Sequence, residues 1–99
     1  MDLSQIINEL GEDRESYFGA VAPPIIQTSN FAFKNVAQLR EAMQDEFAVD
    51  LYSRGNNPTV TILRKKIAAL DNAEDALVLS SGVAAVFLAV FANVKQGDH

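Results

Sequence analysis

A chain of 99 residues holds one small domain at most, and at that size only about 60–70% of the unfolded surface can be buried. A hydrophobic content of 48% is ample for a globular core and argues against intrinsic disorder. The net charge of −5 and the lack of a basic stripe argue against nucleic-acid binding, and the absence of cysteine excludes disulfides and thiolate metal sites from this segment.

Leu3, Ile6, Ile7 and Leu10 recur at helical spacing and Gly11 ends the pattern, so a short amphipathic helix is expected, capped near Asp2 or Ser4. Glu12–Glu15 is an acidic stretch, and the acidity of the chain reads as solvated surface. Residues 16–33 show no clear period and contain Pro23-Pro24, which suits neither a helix interior nor a central strand. They read as an extended arm. Its apolar residues, among them Tyr17, Phe18, Ile25 and Phe31, imply that it packs on something, with another subunit as one choice.

Asn35 can cap a helix over about 36–46 with Val36, Leu39, Met43 and Phe47 on one face. Residues 50–57 are expected to be extended and then to loop into a helix from Pro58 to about Leu70. Ile62, Leu63, Ile67 and Leu70 would form its apolar stripe, with Lys65 and Lys66 solvated. The run Ala76–Leu79 reads as a buried parallel strand, followed by a Ser80-Ser81-Gly82 turn and an apolar helix over about 83–93. Helix, strand, Gly turn and helix make one unit of an α/β sheet. The longest apolar stretch, Val83–Ala92, falls far below the ~20 residues that span a bilayer, so no membrane partner is expected. Met1-Asp2-Leu3-Ser4 lacks the basic and apolar regions of a secretory signal, so a cytoplasmic location is expected.

Two places carry chemistry. In Tyr52-Ser53-Arg54-Gly55-Asn56-Asn57-Pro58-Thr59, a phenol and a guanidinium stand two residues apart and face the same way if the segment is extended. A guanidinium fork and a hydroxyl together can hold a phosphate. At Ser81-Gly82-Val83 a helix opens straight after the expected strand. Free amides and the positive end of the helix dipole suit the same anion there, and Gly lets the backbone come close. Each signal alone is weak, since a surface Arg and a Ser-Gly cap are ordinary features.

Together, in this order, they resemble the cysteine/methionine-metabolism family of pyridoxal-phosphate enzymes, which includes cystathionine synthases and lyases and methionine γ-lyase. The resemblance runs from about Pro23 to the end of the chain. It implies an α/β fold of the aspartate-aminotransferase-like type (fold type I), with residues 1–57 as N-terminal arm and dimer-contact segment and 58–99 as the beginning of the cofactor domain. It implies pyridoxal 5'-phosphate as cofactor, held through Tyr52, Arg54, Ser81, Gly82 and Val83. Tyr52 and Arg54 would serve the neighbouring subunit of a homo-oligomer, a dimer of dimers. Gly82 and Val83 would donate backbone amides, with Ser81 as cap or adjacent contact. The family often has Met where this chain has Val83, a change that a backbone donor tolerates. Asn57 would be structural, fixing the loop that carries Arg54.

The resemblance further implies carbon–sulfur or carbon–oxygen bond chemistry at the β or γ carbon of an amino acid such as cystathionine, methionine, cysteine or an O-acylated homoserine. Synthase, β-lyase and γ-lyase remain open. No catalytic residue is assigned in this segment. None of the four lysines (Lys34, Lys65, Lys66, Lys95) lies in the Ser/Thr-rich context the family uses for its cofactor-bearing lysine, and His99 is the only histidine. Gly97-Asp98 is a turn of the kind that leads into a strand, so a longer protein is expected, with these 99 residues alone inactive. A different class, a free-standing, non-catalytic interaction module with the arm as its binding element, is the alternative.

Overall fold

The computed structural model describes all 99 residues, Met1–His99. Four α-helices follow one another: α1 (Leu3–Asn8), α2 (Val36–Ala42), α3 (Pro58–Leu70) and α4 (Gly82–Phe91), with a 3-10 turn at Arg14–Tyr17 between the first two.

Each start is a capping event. Asp2 accepts from the Gln5 amide at 2.9 Å while the Gln5 side chain accepts from the Asp2 amide at 3.1 Å, a reciprocal capping box. Asn35 caps α2, Asn57 caps α3 with Pro58 directly after it, and Ser81 caps α4. The end of α3 is equally explicit. Asn72 takes a left-handed φ of 54°, the Ala73 amide donates to Ala68 at 2.8 Å and the Asn72 amide to Ala69 at 3.3 Å, a Schellman closure. Helix α2 stops before the expected 46, because the Gln44 and Asp45 amides donate three residues back, to Glu41 and Ala42, and tighten the last turn.

The one pair of helices in contact is α1 with α3. Gly11 makes the approach possible. Its φ is +79°, and a Cβ there would lie 3.2 Å from Lys65 Cδ and 3.5 Å from Ile62 Cα. Ionic contacts hold the dock. Lys66 Nζ donates to the Ile7 carbonyl at 2.6 Å and Arg14 Nη2 to the Asn8 carbonyl at 2.7 Å, so both cations satisfy the open C-terminal end of α1. Glu12 pairs with both of them, and its side chain is only 6% exposed. Lys66 and Glu12 therefore depart from the solvated positions expected of them. Their partners lie 54 residues apart, beyond the reach of any local pattern.

No β-strand forms, and the only bridge is an isolated antiparallel one between Asn30 and Tyr52. The expected strand Ala76–Leu79 runs without a ladder partner, and Leu77, Val78 and Leu79 are exposed. A strand needs a neighbour for its amides and carbonyls, and these residues contain none for it. The α/β layering is thus not displayed by this segment. Only Ala42, Ala68 and Asn57 are buried, and the radius of gyration is 16.4 Å against about 13 Å for a compact domain of this size. The expected apolar face of α2 stands in the open, and so does α4, where Val83, Val86, Phe87, Val90 and Phe91 are exposed and the two phenylalanine rings stack at 5.2 Å. A helix apolar on all sides is stable only when covered. No helix is long and apolar enough to cross a membrane.

Candidate functional site

The octet forms a tight turn where an extended stretch was expected. The Gly55 and Asn56 amides both donate to the Tyr52 carbonyl, at 2.9 and 3.1 Å. The side chains of Tyr52 and Arg54 still meet, by another route: the guanidinium carbon of Arg54 lies 4.8 Å from the centroid of the Tyr52 ring. A cation–π stack of this kind orients the planar fork.

Behind the turn lies a network that ties it to the arm. The Asn57 side chain, in a residue only 6% exposed, accepts from the Thr59 amide at 2.9 Å and donates to the Ile26 carbonyl at 3.1 Å and to Ser53 Oγ at 3.0 Å. Ser53 Oγ in turn donates to the Thr28 carbonyl, and the Ser53 amide to Ser29 at 2.9 Å. Thr59 Oγ1 accepts from the Ile26 amide at 3.0 Å and donates to the Pro24 carbonyl at 3.2 Å. Residues 24–29 are therefore held against the start of α3 by backbone groups that bond Ser53, Asn57 and Thr59. Asn57 does both things expected of it, capping α3 and bracing the loop. Thr59 was not legible as a brace, since its partners are 33 and 35 residues away.

Two arginines line a groove of about 260 Å³ between this turn and the 77–79 segment. They are not equivalent. Arg64 Nε donates to the Ala76 carbonyl at 2.8 Å and its Nη2 pairs with Asp75. Asp75 also accepts from the Ala76 amide, and that bond first, then Arg64, holds its carboxyl below the usual carboxylate range. Arg54 has no hydrogen bond and no ion pair, so its five donors remain available.

The start of α4 is open in a complementary way. Ser81 Oγ accepts from the Ala84 amide at 3.1 Å and the Ser81 carbonyl from the Ala85 amide at 3.1 Å. The amides of Gly82 and Val83 precede the helical ladder and keep their donors free. A Cβ built at Gly82 would meet nothing within 4 Å. Ser81, Gly82 and Val83 do not line the groove that Arg54 and Arg64 share, though Leu79, two residues before Ser81, does. A free guanidinium with a phenol, and two free amides at a helix N-terminus, are the donor types a phosphate ester takes. The residues present fit such a group.

Electrostatics elsewhere is structural. The hydrogen bond from Lys66 is the main cause that holds the Glu12 carboxyl below its ordinary value of 4.5, against the opposing effect of burial. Burial alone pushes Asp50 up; it lines a second cavity, of about 390 Å³, with Tyr17 and Thr61.

This chain belongs to a family of pyridoxal-phosphate-dependent enzymes: residues 4–99 match the model described as Cys/Met metabolism PLP-dependent enzyme. It is 42% identical over 84 residues to an L-methionine γ-lyase of Treponema denticola, an alignment covering 83% of this chain and 20% of that protein. It is 34% identical over 89 residues to the L-methionine γ-lyase of Pseudomonas putida, covering 90% and 22%. With the chloroplastic cystathionine γ-synthase 1 of Arabidopsis thaliana it shares 36% identity over 80 residues, covering 81% and 14%. The chain thus spans about a fifth of the length of the methionine γ-lyases it matches.

Proposed function

We propose that this chain supplies the cofactor-phosphate contacts and a subunit contact of an enzyme that breaks or forms a carbon–sulfur bond at the β or γ carbon of an amino acid. The candidate substrates are cystathionine, methionine, cysteine and O-acylated homoserine. The observation that carries the proposal is the free guanidinium of Arg54, stacked on Tyr52 and mounted on a loop braced by buried Asn57. When bound, pyridoxal phosphate supplies an electron sink for carbanion chemistry beside the amino-acid α carbon.

The chain's own residues do the holding. Arg54 would hold the phosphate through its charged N–H donors and Tyr52 through its hydroxyl. Gly82 and Val83 donate amides from the start of α4, whose dipole favours the anion, while Ser81 keeps the first turn closed. In this reading residues 1–57 form the arm and contact segment and 58–99 open the cofactor domain of a type I fold. Tyr52 and Arg54 reach the phosphate of the neighbouring subunit in a cytoplasmic homotetramer built as a dimer of dimers. No residue here has the setting for proton transfer or for covalent attachment of the cofactor, so residues 1–99 alone are inactive.

The test uses the protein encoded by its full reading frame beside residues 1–99. The full protein is expected to bind pyridoxal phosphate with visible absorbance and to trap it on one lysine after borohydride reduction; the 99-residue chain is expected to do neither. A specific reduced adduct on Lys34, Lys65, Lys66 or Lys95 overturns this division of roles.

A further inference from the structure

We infer that Arg64 is a positioning residue for the phosphate site: from α3 it fixes the segment that delivers the Gly82 and Val83 amides. The inference rests on the function proposed above.

Within these 99 residues the segment after α3 makes no strand ladder, and its backbone is tied to α3 by individual bonds. After the turn at Asn72, the backbone of Ala76 is held at both its polar groups. Its carbonyl accepts from Arg64 Nε at 2.8 Å and its amide donates to Asp75 Oδ1 at 2.8 Å. Asp75 is itself paired with Arg64 Nη2. Arg64 thus holds two groups, the Ala76 carbonyl and the Asp75 carboxylate that in turn accepts from the Ala76 amide, and its side chain is three-quarters covered. A guanidinium can do this because its fork offers separate, fixed donors, whereas an ammonium offers a point charge. Three residues beyond Ala76 the chain still lines the groove beneath Arg64, at Leu79, and two residues later Ser81 caps α4.

The other end of α3 carries Asn57, seven residues or about 10 Å up the helix axis from Arg64. Asn57 braces the turn that presents Arg54, and Arg64 braces the approach to Ser81. One helix therefore sets both the clamp offered to the neighbouring site and the amides offered to its own. Arg64 bonds Ala76 through Nε and Asp75 through Nη2, and the role assigned to it runs through those groups.

The experiment compares Arg64→Ala, Arg64→Lys and Asp75→Asn in the full-reading-frame protein, with Arg54→Ala as reference. The apoprotein is titrated by visible absorbance with pyridoxal phosphate and, separately, with pyridoxal, which lacks the phosphate. Misplaced amides penalise only the phosphorylated ligand. Arg64→Ala is expected to weaken pyridoxal phosphate binding about tenfold while pyridoxal changes by less than about twofold. Arg64→Lys, which keeps the charge beside Asp75 and loses the bond to Ala76, is expected to fall between. Asp75→Asn keeps every stem and removes one ionic tie, so it reports on the same ratio if Arg64→Ala fails to fold. An unchanged ratio in these variants, with only a lower Tm, overturns the positioning role. If that occurs while Arg54→Ala still loses phosphate-dependent affinity, the clamp stands and this inference alone fails. If Arg54→Ala is also unchanged, the site itself is wrong.

Discussion

Arg54 lies 4.8 Å over the ring of Tyr52 and pairs with no acceptor in the chain, while its groove neighbour Arg64 bonds Asp75 and Ala76. That difference between two arginines in one groove sets the first expectation. Arg54→Ala should weaken cofactor binding by about 1.5–3 kcal/mol, ten- to a hundredfold, the value of a charge-assisted contact. Arg54→Lys should lose less, because the charge survives and the fork does not. Dialysis against cofactor-free buffer, followed by absorbance, measures both. Unchanged affinity in both variants removes Arg54 from the site.

Asn57 should matter for stability first. Its side chain caps α3 and ties Ile26 and Ser53 from a buried position. Asn57→Ala should cost about 2–4 kcal/mol, summing a lost cap with buried groups left unpaired. Asn57→Asp keeps the acceptor for Thr59 and loses the donors, so it should fall between. Urea unfolding of the full-reading-frame protein gives the order; equal midpoints for all three would remove the bracing role.

The dock of α1 on α3 should depend on acid. The hydrogen bond from Lys66 is the main reason the folded Glu12 carboxyl sits below its ordinary value of 4.5. A depressed carboxyl contributes stability that is fully present above that value and disappears as pH falls through the lower folded one. Protection of the α1 amides, taken relative to the intrinsic exchange rate at each pH, should therefore be higher at neutral pH and fall below about pH 4.5. Glu12→Gln should give low protection at both. Asp50 runs the other way. Its carboxyl is raised by burial, so its charged form costs stability above the raised value, and Asp50→Asn should stabilise the protein at neutral pH. High α1 protection in Glu12→Gln, or no gain from Asp50→Asn, would contradict these assignments.

What the sequence reveals here depends on how far each residue's partner lies along the chain. The start of α3 was legible because Asn57, Pro58 and the Thr59 amide act within three positions, and Ser81-Gly82 announced α4 in the same way. The strand at Ala76–Leu79 was not realised, since its apolar run specifies burial but not the neighbour that would complete a ladder. Lys66 looked solvated because Glu12 and Ile7 lie more than fifty residues away. The juxtaposition of Tyr52 and Arg54 was anticipated through extended geometry, and the structure reaches it by a turn and a stack. The particular bonds of Thr59 to Pro24 and of Arg64 to Ala76 are not legible, because they go to backbone groups, which leave no mark in side-chain identity.

The central claim, that Tyr52 and Arg54 serve the neighbouring subunit's phosphate, is tested most directly by mixing two inactive subunits. One carries Arg54→Ala, and the other lacks the cofactor-bearing lysine. In a heterodimer with isologous contacts, one site carries both lesions and the other carries neither. Activity per heterodimer, with composition verified by mass spectrometry, should return to about half that of the wild-type dimer. Verified heterodimers that stay inactive would show that the clamp acts within its own chain.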